Sequence, residues 1–153
     1  MRLRFEKSTW IGAKPAAVFA HLSEPSAFLG LQPLLVELHE TGRGRDAQGR
    51  PTRRFETVER LYLAGVVPFR NRIEGVLTLA SDGEAIEVTV RSRPRLVLHS
   101  HYRFDPEAAG TRVTEAVAIE CPRPLAGPVR RQAERAHERL LAALKERLEG
   151  TAG

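Results

Sequence analysis

At 153 residues the chain has the size of a domain that buries a core without staples, and its single cysteine, Cys121, excludes an internal disulfide and any zinc site built from paired cysteines. Twenty-four Lys and Arg against nineteen Asp and Glu give a formal charge of +5, but aromatics are only 6% of the chain, too few for the stacking platforms that a nucleic-acid binder sets among its basic groups. No run of about 18 apolar residues is present, and the alternating charges of residues 1–7 do not form a signal peptide, so the expectation is a cytoplasmic protein without a membrane span.

Residues 2–11 alternate Leu3, Phe5, Lys7, Thr9 and Ile11 against Arg2, Arg4, Glu6, Ser8 and Trp10, the period of a strand with one buried face. At Gly12-Ala13-Lys14-Pro15 the period changes. Pro15 suits a first helical position, and Val18, Phe19 and Leu22 fall on one side of a short helix ending near Ser23. Ser23 is placed to cap a second short helix through Leu29, closed by Gly30. A second strand follows, with Leu34, Val36 and Leu38 alternating against Leu35, Glu37 and His39, and residues 41–51 read as a long polar hairpin loop.

Phe55, Thr57, Leu61 and Leu63 share one phase of a third strand over residues 52–63. Gly65-Val66-Val67-Pro68 breaks it before an extended run from Phe69 to Leu79, and Asp82-Gly83 centres a tight hairpin turn. Ile86, Val88 and Val90 mark strand five, Arg93-Pro94-Arg95 a break, and Leu96, Leu98, Ser100, Tyr102 and Phe104 strand six. Residues 105–110 read as a turn before strand seven, with Val113, Glu115, Val117, Ile119 and Cys121. Beyond Pro124, Val129, Ala133, Ala136, Leu140, Leu144 and Leu148 step by three or four along one face of a helix of about 22 residues, roughly 33 Å long. With no repeat or linker, the simplest organisation is one domain over residues 1–153.

Three stretches carry a family resemblance: Ile11 to Leu22 as a strand-to-helix corner, Gly110-Thr111-Arg112-Val113-Thr114 in the final hairpin, and Gly127-Pro128-Val129 leading into the last helix. With the element order, they resemble the START and birch-pollen-allergen-like (SRPBCC) superfamily, including its polyketide cyclase-like and coenzyme-Q-binding-like members. The resemblance implies an α+β helix-grip fold: a seven-stranded curved antiparallel sheet wrapped on a long C-terminal helix, with two short helices after strand one. It also implies a cavity between sheet and helix, since members of the superfamily carry lipids, sterols or quinones, cyclise polyketides, or serve as interaction modules. One departure is that residues 28–34 lack the tryptophan many relatives carry there, so the resemblance does not fix the shape of the pocket entrance.

If the apolar phase of each strand faces the helix, Lys7, Thr9, Ser100, Tyr102 and Glu115 share that inner face. Glu115 is the sharpest candidate for chemistry, because a carboxylate desolvated among apolar strands has a raised pKa and can exchange protons with a carbonyl, unless Lys7 neutralises it. The expected lining is Phe5, Phe28, Phe55, Leu77, Leu98, Tyr102, Val117 and Leu140. His99 and His101 lie on the outer phase, while His21 and His137, on helices, read as packing or surface residues. Neither a nucleophile elbow around Ser23 nor a phosphate loop or dinucleotide fingerprint is present, so no cofactor or metal is expected.

The leading expectation is an intracellular protein, monomer or dimer, that binds or carries an apolar or amphipathic small molecule. A cyclase- or dehydratase-like enzyme using Glu115, Tyr102 or Lys7 for proton transfer is the alternative. A third is an interaction module with a filled interior, docking a protein or RNA through Arg43, Arg45, Arg50, Arg53 and Arg54; a cavity well below about 300 Å³ would favour it.

Overall fold

The computed structural model describes residues 1–33, 35–63, 67–80, 82–92 and 95–151, with every side chain among them except those of residues 60–63, 67–71 and 151. The expectations placed on Leu34, Leu61, Leu63, Gly65, Val66, Phe69, Ser81, Arg93 and Pro94 therefore lie outside the described residues. Seven strands run β1 (Arg2–Ile11), β2 (Leu35–Arg45), β3 (Pro51–Leu63), β4 (Val67–Leu79), β5 (Ala85–Ser92), β6 (Leu96–Glu107) and β7 (Gly110–Glu120). They form one antiparallel sheet in the order β1-β7-β6-β5-β4-β3-β2. Helix α1 (Pro15–Leu22) and a 3-10 turn (Pro25–Phe28) follow β1, and α2 (Ala126–Thr151) closes the chain. This is the α+β helix-grip architecture.

The sheet buries one face against α2. Leu140, Leu141 and Leu144 of the helix meet Ile11, Val18, Leu22, Leu77, Ile86, Phe104 and Val113 in the larger core cluster. A second cluster joins Ala126 to Leu3, Val117, Ile119 and Cys121, with Val129 and Ala133 against it. At 26 residues, about 39 Å long, the helix is one turn longer than its leucine pattern suggested, because Gly127 and Pro128 are absorbed into its first turn.

Local chemistry explains the bends. A Cβ on Gly75 would lie 2.3 Å from the Phe55 ring, so the bare glycine on β4 lets the aromatic of its paired residue lie flat over the sheet. A Cβ on Gly110 would come within 2.4 Å of the Ile11 carbonyl, and Thr111 Oγ1 donates to the Ala13 carbonyl at 2.7 Å. The Gly-Thr pair thus seats the β1–α1 corner against β7.

Four sequence expectations are corrected. One residue is added to β2 between Leu35 and Glu37, so the alternation slips; Leu35 and Leu38 are half-buried while Val36 is exposed. The hairpin loop shrinks from residues 41–51 to residues 46–50, where Asp46 accepts the Gln48 and Arg50 amides and replaces part of the ladder. Ser23 does not cap the second helical turn but donates back to the Phe19 carbonyl at 2.6 Å. Lastly, β6 and β7 pair as far as Glu107 opposite Gly110, leaving only Ala108 and Ala109 in the turn.

Candidate ligand cavity

Between sheet and helix the packing leaves two lobes, of about 80 and 130 Å³. Phe28, Leu38, Phe55, Val88, Tyr102 and Leu140 wall the first. Ile73, Leu96, Ile119, Val129, Ala133 and Ala136 wall the second. Gln32, Glu59, Val90, Leu98 and His137 border both, so polar groups stand where the lobes meet. The second lobe lies under the part of α2 that presents alanines, whose methyl groups are too short to fill the distance to the strands.

Period two turns position 115 of β7 inward, and the Glu115 side chain is fully buried. Its Oε2 lies 2.6 Å from Nδ1 of His137, which α2 places one turn beyond Ala133 and one before Leu140. The Phe5 ring meets the His137 imidazole edge-on at 5.8 Å. With Nδ1 held by the carboxylate, Nε2 is the nitrogen left for a guest.

Tyr102 stands opposite Glu115 on β6. Burial, reinforced by the nearby Glu115 carboxylate, pushes its phenol well above the usual tyrosine value, so it is a neutral donor at any physiological pH. Ser100 Oγ and Glu115 Oε1 are buried with no hydrogen bond of full geometry, although the Tyr102 hydroxyl interacts with both side chains. From β3, Glu59 completes the set: burial pushes its carboxyl up to about 7, with His137 pulling the other way. Near neutrality it can hold or release a proton.

Of the residues expected to line the cavity, Phe28, Phe55, Leu98, Tyr102 and Leu140 do so. Leu77 and Val117 are packed into the core clusters, and Phe5 supports His137 from behind. Lys7 is opposite Glu115 in register, yet its Nζ reaches out to Glu138 of α2 at 2.7 Å, so it neither lines the cavity nor neutralises Glu115. Glu59 is the functional candidate that sequence reasoning passed over, and His137 is one it assigned to packing or surface ahead of a base role. Glu59 shares the phase of Phe55 and Thr57, and His137 falls inside the helix's apolar stripe; each signal was readable as period.

The arginine-rich hairpin is largely satisfied from within. Arg43 pairs with Glu40 and Glu24 and Arg50 with Asp46 and Glu87, whereas Arg53 faces Glu24 only at 3.9 Å and its Nε is buried without a hydrogen bond. A concavity of about 680 Å³, larger than either lobe, lies on the outer face of the sheet between exposed Arg2, Arg4, Glu6 and His101 over Ala116 and Ala118. Its charges are mixed and solvated, whereas the smaller inner lobes hold Tyr102, His137 and the shifted carboxyl of Glu59, so size and chemistry point to different faces. His99 on that outer face shares a hydrogen bond of 3.0 Å with Thr89, and no cluster of metal-ligating groups occurs among the described residues.

Against known proteins, the sequence model of a family described as polyketide cyclase / dehydrase and lipid transport matches residues 2–149. The chain belongs to this family. Among solved structures it is similar to TTHA0849 from Thermus thermophilus, with a TM-score of 0.75 at 18% identity over 100% of both chains. It also resembles a START superfamily protein from Mycobacterium smegmatis, with a TM-score of 0.70 at 15% identity over 97% of this chain and 98% of that one. The di-domain ARO/CYC StfQ of the steffimycin biosynthetic pathway gives a TM-score of 0.76 at 15% identity, with this chain spanning 53% of it. At such identities the structural likeness speaks for the fold alone. No curated protein matches the sequence. Among the described residues no helix is long and apolar enough to cross a membrane.

Proposed function

We propose that this member of the polyketide cyclase / dehydrase and lipid transport family binds a small amphipathic molecule in the cavity between sheet and α2. Its apolar body lies against Phe28, Phe55, Leu98 and Leu140, and a neutral hydroxyl or carbonyl meets Ser100, Tyr102, Glu59 and His137. One observation carries this reading: four polar side chains, Ser100, Tyr102, Glu59 and His137, converge on the wall of one small lobe among apolar neighbours. A solidly filled apolar core would not gather them, since each buried polar group left unmet costs about 1–3 kcal/mol. The lobes are smaller than the roughly 300–1,000 Å³ of drug-sized sites, which restricts the guest to a short chain or a single ring system. That size alone would favour a filled interaction module, but the converging polar groups and the internally paired hairpin arginines weigh against it. The buried free thiol of Cys121 suits a reducing, intracellular setting.

The Glu115–His137 pair favours a second reading on the same site, in which His137 Nε2, oriented by Glu115, takes a proton from a guest while neutral Glu59 supplies one. Native mass spectrometry of freshly purified protein, with extraction of the retained molecule, tests both. The expected result is an adduct of a few hundred daltons that disappears in Leu98→Trp, which fills the junction of the lobes. A folded protein that retains nothing and binds no added amphiphile would sink the proposal. A guest chemically altered by fresh protein but not by His137→Gln would extend it to catalysis.

A further inference from the structure

Arg131, Arg135 and Arg139 stand at four-residue intervals on α2, all exposed. Like charges at that spacing repel one another and weaken a helix. No carboxylate among the described residues lies within 4.0 Å of any of them. Of the two acids beside the stripe, Glu138 pairs with Lys7 at 2.7 Å while also feeling the charge of Arg135, and Glu134 pairs with Arg130 at 3.5 Å. With Pro33 and Pro128 the three arginines enclose a groove of about 370 Å³ that has no acidic residue in its walls. Gln132 and Ala136 line this groove and also the larger lobe of the cavity, so the two spaces share a wall.

Charge is thus arranged in opposite senses on the two sides of that wall. Inside, no lysine or arginine lines either lobe; outside, three guanidiniums line the groove. We infer that the guest is an acidic amphiphile whose uncharged body occupies the cavity and whose carboxylate or phosphate lies in the Arg131–Arg135–Arg139 groove. The inference rests on the cavity reading above and adds the guest's charge and its orientation, acid outward.

Calorimetry in 50 mM NaCl would compare octanoate, octyl phosphate and 1-octanol, with inorganic phosphate and phosphatidylglycerol vesicles as separate arms. The expected result is that octanoate and octyl phosphate bind roughly tenfold tighter than 1-octanol, a preference that shrinks in 300 mM NaCl. The R131S/R135S/R139S variant should lose the preference while binding 1-octanol unchanged, and R131K/R135K/R139K should retain it. Circular dichroism would confirm that both stay folded. Equal affinities for the acids and the alcohol, or a preference that survives the serines, would overturn the inference and leave the cavity reading standing. Failure of every amphiphile to bind would remove both. Tight binding of inorganic phosphate alone, or serine-sensitive vesicle binding without discrimination among soluble amphiphiles, would make the stripe an independent anion or membrane surface and overturn it.

Discussion

From Leu141 onward α2 presents Leu141, Leu144 and Leu148 to Ile11, Val18, Leu22 and Val113, and that half of the helix is packed solid. Between Val129 and His137 the same helix presents Ala133 and Ala136 to the same sheet, and a lobe of about 130 Å³ opens beneath it. Polar anchoring differs in the same way. Around the solid half, Lys145 Nζ donates to the Trp10 carbonyl at 2.8 Å, Glu149 accepts the Gly12 amide at 2.9 Å, and Arg147 donates to the Ala27 carbonyl at 2.7 Å. In the hollow half the principal buried polar contact is His137 with Glu115, which faces the interior instead of stitching the rim. One helix on one sheet is therefore sealed or hollow according to side-chain bulk, and the hollow half is where the titratable groups collect.

Exchanging bulk between the halves is the largest lever. Leu144 is fully buried, and Leu144→Ala should cost about 3 kcal/mol in urea unfolding, because it removes packed atoms and leaves a cavity. Ala136→Leu adds volume where space already exists, so its stability should change by less than about 1 kcal/mol while uptake of any guest falls. Equal destabilisation by the two substitutions would show that the hollow half has no usable void.

How far this contrast could be read from sequence depends on the kind of signal. The element order, the corner at Gly12–Pro15 and the inward placement of Glu115, Tyr102 and Ser100 all follow from period and turn chemistry. The extra residue in β2 did not show, because a bulge breaks the alternation that reveals a strand and turns Leu35 and Leu38 inward in place of Val36. Lys7 was read inward from its phase, but a long side chain near the sheet rim carries its amine to Glu138. Nor could the Glu115–His137 contact be read locally, since it joins residues from β7 and α2 that only the docking of the helix brings together.

The next effect is smaller and depends on pH. Glu59 has a folded pKa of about 7 against an ordinary value of 4.5, so between these limits the folded state holds a proton that the unfolded state releases. Its contribution is therefore fully present below about 4.5 and is lost as pH rises through 7, an effect of at most about 3 kcal/mol. Urea titrations at pH 5 and pH 8 should show this loss in the native protein and a flatter dependence in Glu59→Gln. An unchanged slope in the variant would mean that water reaches Glu59 freely, and the hollow half would lose its most responsive group.

The smallest expected effect strengthens the closed side without touching the hollow one. The β6–β7 turn consists of Ala108 and Ala109, with φ of 45° and 63°, the left-handed region where a Cβ is unfavourable and where two-residue hairpins ordinarily place Asn-Gly. The turn is held in that form because Trp10 Nε1 donates to the Glu107 carbonyl at 2.8 Å and the Gly110 backbone sits hard against Ile11. Ala109→Gly removes the steric conflict at some cost in unfolded-chain entropy, so the net gain should be roughly 0.5–1 kcal/mol in urea unfolding. Guest binding should be unaltered, because the turn contributes to neither lobe. A gain in stability accompanied by weaker binding would mean that the two sides are coupled through the sheet, contrary to a division set by side-chain bulk along α2.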